Sequence, residues 1–253
     1  GAVLVLMATT LFASMDAIAK LMTERYDPMQ VVWARYTGQA LLVALMVAPR
    51  LRIVLRTDHL PLQVLRSGFF FGATISGFFA YSMLPLATVT AVFQVAPLII
   101  TALAALVLHE AVGLRRWGGV AMGFLGALII IRPGSAVFDP AALLPMLAAL
   151  FFSGYTITTR MLGRDDGFWT TFLYSAGLGA ILSTLYVPFV WTTPSWADAW
   201  TMLGMAAIGT LGQLVLIAAF STAQASALAP FTYFGLIVAA VLGYLVFGDL
   251  PDG

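Results

Sequence analysis

The sequence predicts an all-α integral membrane protein made of two inverted five-helix repeats, and three observations carry that prediction. Of its 253 residues, 61% are hydrophobic and only 9% are charged, whereas a soluble domain carries about a quarter charged residues. Nine apolar stretches are long enough to cross a bilayer, which takes about 20 residues of helix. The chain also aligns with itself at one constant offset of 139 residues, beginning with Phe12, Ser14 and Ile18 against Phe151, Ser153 and Ile157.

The stretches run 2–22, 29–48, 63–83, 88–108, 115–131, 141–162, 169–190, 199–220 and 226–247, each bounded by charges, prolines or a short polar turn. The first, too long for a signal-peptide core, reads as a retained span and carries Asp16 and Lys20 four residues apart. The second holds Arg35 about two turns inside its start. The third holds Phe78, Phe79, Tyr81 and Ser82. The fourth holds Phe93 and Gln94 and is interrupted by Pro97. The fifth is glycine-rich, the sixth contains Tyr155, and the ninth contains Pro230, Tyr233 and Phe234. Barrel strands are excluded, because the runs are twice too long and do not alternate polar with apolar residues.

Orientation follows from Lys and Arg near the span ends. Arg50, Arg52, Arg56, Arg66, Arg115, Arg116, Arg160 and Arg164 follow spans two, four and six, against Lys20, Arg25 and Arg132 on the other side. Eight against three places the N-terminus in the cytoplasm.

The offset continues through Gly38 and Pro49 with Gly177 and Pro188, Ala80 and Ser82 with Ala219 and Ser221, and Glu110 with Asp249. It divides the chain into a first five-helix repeat, 1–132, and a second, 140–253. The second is expected to lack its tenth helix, which would begin where this chain stops. An odd number of helices per repeat inverts the second half, an arrangement that places a binding site near the midplane and permits alternating access.

Composition excludes several function classes. A net charge of +1 without a basic tract excludes a nucleic-acid partner, and the absence of cysteine excludes disulfides, thiol catalysis and thiolate metal sites. The two histidines, His59 and His109, form no metal-ligand pair, so no metal and no cofactor is expected. The only deep carboxylate is Asp16 and no histidine lies mid-span, which leaves an enzyme without the paired groups that hydrolysis or group transfer needs.

Three stretches resemble a known family. "FASMDAIAKL" is similar to its small-residue first helix ending in a basic residue. "VVWARYTGQALLVAL" is similar to its second helix with an embedded Arg, and "LHEAVGLRRWGGVAMGFLGALIIIRPG" to its junction of helices four and five. These features belong to the drug/metabolite transporter superfamily, in particular ten-helix exporters built from two EamA-type repeats, and within that group the chain most resembles bacterial aromatic amino-acid exporters. The resemblance implies a monomeric, multi-pass protein of the bacterial inner membrane that exports amino acids, aromatic or large neutral ones, by alternating access. Another small metabolite or drug is the alternative cargo, and a non-transport membrane protein the remaining one.

The resemblance also turns the first, third, fourth, sixth, eighth and ninth helices toward the cavity. On that basis the substrate pathway is expected to hold Asp16, Phe78, Phe79, Tyr81, Ser82, Phe93, Gln94, Tyr155, Tyr233 and Phe234. Pro97 and Pro230 are candidate hinges, since a mid-helix proline frees a carbonyl and kinks the helix. For Asp16 three readings stand: a local pair with Lys20, a contact for a substrate ammonium, or a coupling proton. Arg35 either anchors helix ends or the Glu24 and Asp27 loop, the role the resemblance favours, or binds a substrate carboxylate. Together the aromatics make an apolar pocket able to stack on a flat ring.

Overall fold

Polar signals at the ends of the apolar stretches decide where each helix starts and stops. The computed structural model describes residues 1–109, 113, 117–118, 140–162, 166–222 and 234–248. Helix α1 spans Ala2–Thr23 and α2 Pro28–Val47. The Asp27 side chain accepts from the Met29 N–H at 2.8 Å and Pro28 opens the first turn of α2, both favoured at a helix start. After a short turn of helix, α3 (Leu51–Val54), comes α4, Leu60–Met83. It ends at Leu84, which is extended as residues before a proline tend to be, here Pro85.

The fourth predicted span is broken in two, α5 (Leu86–Phe93) and α6 (Ala96–Val107), with Pro97 in the first turn of α6. The second half supplies α7 (Leu143–Leu162), α8 (Phe168–Tyr186), α9 (Trp196–Thr222) and α10 (Phe234–Leu242), the last running into a π-helical turn, Gly243–Phe247. The spans read from the sequence thus coincide with helices within a few residues wherever they fall among the described residues. Span 115–131, apart from residues 117–118, and the start of 226–247 lie outside them, as do Pro230 and Tyr233.

Among the described residues, six helical stretches are long and apolar enough to cross a membrane: Ala2–Thr23, Pro28–Val54, Leu86–Val107, Pro140–Leu162, Phe168–Phe189 and Trp196–Leu216. Helix α4 is absent from that set because it carries the interior's polar groups. Gln63, Arg66, Ser67, Thr74 and Ser76 are all buried on it, while Leu41, Leu45, Ile181, Leu185 and Leu245 stand exposed on other helices. Polar inside and apolar outside is the arrangement lipid demands. The protein is a multi-pass membrane protein.

Helix α1 packs chiefly on α9, α4 on α7, and α2 on α8. Next come α2 on α9 with α4 on α8, and α6 on α7 with α1 on α10. The largest core cluster joins Met15, Met22, Tyr36, Phe78, Met202 and Met205 from α1, α2, α4 and α9. At the end of the bundle where α2 begins, Ser195 caps α9 by accepting from the Asp198 N–H at 3.1 Å. The Asp198 carboxylate in turn accepts from Tyr26 at 2.7 Å, Ser195 at 2.8 Å and Arg25 at 2.9 Å. Gln30 exchanges two bonds with the Thr192 backbone, at 2.6 and 2.9 Å. The α1–α2 and α8–α9 connections are thereby tied together.

Two charges differ from their sequence reading. Arg66, counted among the loop arginines, is 5% exposed inside the bundle. Lys20, counted on the other side, is buried as well, and moving both out of the count leaves seven against two with the sign unchanged.

A candidate transport cavity between α1, α2, α4, α5 and α7

Helix α4 presents Phe70, Ala73, Thr74, Gly77, Phe78 and Tyr81 to a cavity of about 160 Å³. Their spacing of three and four residues puts them on one helix face. Met15 and Asp16 of α1, Arg35 of α2, Val89, Thr90 and Phe93 of α5, and Ala148 and Phe152 of α7 complete the wall. The helices that supply it belong to both halves of the sequence.

Two polar corners interrupt an otherwise apolar lining. In one, Asp16 of α1 lies beside Tyr81 and the guanidinium of Arg35 on the cavity wall. In the other, Arg35 Nη1 donates to Thr74 Oγ1 at 2.9 Å. Thr74 passes its own proton to the Phe70 carbonyl at 3.0 Å and shares a 2.8 Å bond with the Tyr36 hydroxyl. The Thr74 oxygen is therefore saturated, while a guanidinium carries five N–H donors, of which Arg35 uses one among the described residues. Its flat face is held by the rings of Tyr36 at 5.5 Å and Phe70 and Phe78 at 5.6 Å, within cation–π range.

Several sequence expectations meet here and others do not. Asp16, Phe78, Tyr81 and Phe93 line the cavity, as does Arg35. Arg35 does not anchor the Glu24 and Asp27 loop; Asp27 caps α2 instead. The local Asp16–Lys20 pair does not form. Lys20 Nζ donates to the Leu84 carbonyl at 2.9 Å and lies 5.0 Å from the Phe247 ring. The end of α4 leaves carbonyls without intrahelical partners, and Leu84 stands beside Pro85, so a buried ammonium finds a strong acceptor there.

Ser82 is exposed and returns its hydroxyl to the Phe79 carbonyl at 2.8 Å. Phe79, Gln94 and Phe234 are not among the lining residues. Gln94 sits at the break between α5 and α6, and Phe234 is 37% exposed. Tyr155 lies just beneath the cavity: its ring is 4.8 Å from Phe70 and 5.7 Å from Phe152.

Sequence reasoning missed Phe70, Thr74, Thr90 and Phe152. The signal was present for α4, since Phe70 and Thr74 share the helical face of Phe78 and Tyr81. Among the described residues no three His, Asp or Glu side chains gather as a metal site.

The chain matches the family profile described as "EamA-like transporter family" over residues 1–132 and 139–252. It is 26% identical to the S-adenosylmethionine uptake transporter of Rickettsia prowazekii, covering 94% of this chain and 81% of that protein. It is 30% identical to the riboflavin transporter of Brucella anthropi, over 87% of this chain and 79% of that one. With the pseudopaline exporter CntI of Pseudomonas aeruginosa it shares 24% identity over 100% and 89% of the two chains. A solved crystal structure 22% identical in sequence superposes with a TM-score of 0.54 over 97% of this chain and 98% of that one, which supports the fold alone. The relatives' names divide between uptake and export and among three cargoes, so the resemblance to aromatic amino-acid exporters narrows to the family. On the match of its profile to nearly the whole chain, the protein belongs to the EamA-like transporter family.

Proposed function

We propose that this membrane transporter exports a neutral amino acid with an aromatic or large apolar side chain, by alternating access across the bacterial inner membrane. The observation that carries the reading is one aromatic-walled cavity holding a carboxylate, Asp16, and a guanidinium with free donors, Arg35. A zwitterion presents the complementary pair: an ammonium for Asp16 and a carboxylate for the free donors of Arg35. A cavity of about 160 Å³ is close to the roughly 150 Å³ cavity that holds benzene in an engineered protein core. It suits one six-membered ring among Phe70, Phe78, Phe93 and Phe152. S-adenosylmethionine, the cargo named for one relative, likewise joins an amino-acid group to a flat base. The outward direction rests on the resemblance of the first, second and fourth spans to ten-helix exporters.

Alternating access needs two exchangeable halves, and the packing supports them. Swapping the halves pairs α1 with α7, α2 with α8, α4 with α9, and α5–α6 with α10. Under that exchange α1 on α9 becomes α7 on α4, α2 on α9 becomes α8 on α4, and α1 on α10 becomes α7 on α5–α6. Each is an observed contact, and the family profile matches in two stretches beginning at 1 and 139. With the N-terminus cytoplasmic, reporter fusions after residues 57, 112 and 165 all give a cytoplasmic signal, and a periplasmic signal at any of them sinks the topology.

The cargo is tested by competition in proteoliposomes. Phenylalanine and tryptophan are expected to inhibit transport of a labelled neutral amino acid well below the concentrations at which glutamate or lysine do. Equal inhibition by all four, or transport of sugars alone, discards the amino-acid assignment and leaves another small metabolite or drug.

A further inference from the structure

The cavity face of α4 does not stop at Phe70. One turn nearer the start of the helix, Arg66 is 5% exposed, and Gln63 and Ser67 are fully buried beside it. Arg66 Nε donates to Thr159 at 2.8 Å, Nη1 to Ser175 at 2.8 Å and to the Thr171 carbonyl at 3.0 Å, and Nη2 to the Tyr155 hydroxyl at 2.8 Å. Every one of these acceptors is neutral, and all lie on α7 or α8. Among the described residues no carboxylate pairs with this guanidinium.

A buried charge without a counter-ion is held against a large desolvation penalty. Neutral hydrogen bonds hold it in place but do not neutralise it. Among the described residues three buried side-chain atoms lack any hydrogen bond, and two of them, Gln63 Oε1 and Ser67 Oγ, lie on the same stripe of α4. Buried polar atoms are otherwise almost always satisfied, so this seam gains bonds if water enters it. Tyr155 joins the seam to the cavity. Its hydroxyl takes the Arg66 bond and its ring lies 4.5 Å from the guanidinium, while the same ring stacks on Phe70 and Phe152 of the cavity wall.

We infer that the seam of α4 with α7 and α8 is a gate of the transport pathway, shut in this structure, with Arg66 as its latch and Tyr155 linking the latch to the occupied cavity. It lies at the end of the bundle where α4 begins, which the arginine count puts on the cytoplasmic side. When the gate parts, Gln63, Arg66 and Ser67 become a wet polar stripe leading to Asp16 and Arg35. Because the Tyr155 ring packs on Phe70 and Phe152, movement of the latch and of the cavity wall are coupled. The inference rests on the chain being a transporter, not on which cargo it carries.

The chain has no cysteine, so single cysteines can be introduced directly. Ser67→Cys reports the seam and Thr90→Cys the cavity, each read by the rate of labelling with a membrane-impermeant maleimide in the reconstituted full chain without substrate. Labelling is measured separately from the cytoplasmic and the opposite face. Replacing Arg66 by Gln removes hydrogen bonds from a charged donor, each worth enough to shift a two-state equilibrium roughly tenfold or more. Arg66→Gln, which loses several of them, is therefore expected to speed cytoplasmic labelling at Ser67→Cys by well over tenfold and to slow labelling at Thr90→Cys from the other face. Tyr155→Phe, which keeps the ring and loses one bond, shifts both rates in the same senses by less. General loosening would raise both rates together, and that result overturns the inference, as do rates unchanged in both variants.

Discussion

Arg35→Gln is expected to weaken binding of the proposed cargo, read with phenylalanine, by about 10- to 100-fold, because a hydrogen bond to a charged group contributes about 1.5–3 kcal/mol. The size of the effect follows from the site. Arg35 lines the cavity, spends one donor on Thr74 and has its face covered by three rings. The fork is therefore held in place before any cargo arrives, which limits the ordering penalty that binding would otherwise carry. Gln keeps an amide donor but is two bonds shorter and loses the charge and the planar fork, so the carboxylate contact is expected to fail while the aromatic walls remain. Arg35→Lys is expected to recover only part of the loss, since an ammonium lacks the flat face that these rings hold. Binding is read by the concentration dependence of counterflow, and the folded state by the melting temperature in detergent.

Gly179→Ala is expected to be the most damaging small substitution in the molecule. A Cβ at Gly179 would overlap the Tyr36 ring. Tyr36 cannot retreat cheaply. It is fully buried, its hydroxyl is bonded to Thr74, and its ring packs edge-on against Phe70 and Phe71, at 6.2 and 5.5 Å. Overpacking of this kind destabilises by about 1–3 kcal/mol. Here the displaced ring also shifts Thr74 and the face on which Arg35 rests. The expected outcome is a melting temperature lower by several degrees together with lost transport. Gly177→Ala is the control, because a Cβ there has no atom within 4 Å. Equal stability of the two variants would show that the α2–α8 approach is looser than described.

Those two glycines show how far the sequence could be read. Self-alignment singled out Gly177 opposite Gly38, yet the close approach to α2 falls at Gly179, two residues on. Which glycine is crowded depends on how two helices meet, and that is invisible in either helix alone. The helices themselves were legible because lipid imposes length and apolarity on each one separately. Pro97 correctly marked a break, since losing a backbone donor acts locally.

Charges were the harder part. Arg66 near the start of a span reads as a loop residue until α7 and α8 are seen to supply its acceptors. Lys20 reads as Asp16's neighbour until the end of α4 brings the Leu84 carbonyl to it. Asp16, Phe78, Tyr81 and Phe93 do line the cavity, because an ionisable or aromatic residue within a span was read as facing one. Thr74 and Phe70 were overlooked although the face they share with Phe78 and Tyr81 could have been drawn as a helical stripe. Ser82 was placed in the pathway because hydroxyls in apolar helices invite such a role, but it satisfies itself on its own backbone.

In the proposed transport cycle Arg35 recognises a carboxylate and Asp16 an ammonium in one cavity. The most direct measurement compares phenylalanine with phenethylamine, which lacks the carboxylate, and with 3-phenylpropionate, which lacks the ammonium, as inhibitors of wild type, Arg35→Gln and Asp16→Asn. Wild type is expected to prefer phenylalanine over both, Arg35→Gln to lose the distinction between phenylalanine and phenethylamine, and Asp16→Asn to lose that between phenylalanine and 3-phenylpropionate. If each substitution weakens all three compounds by the same factor, neither residue reads the head group and the proposed recognition fails.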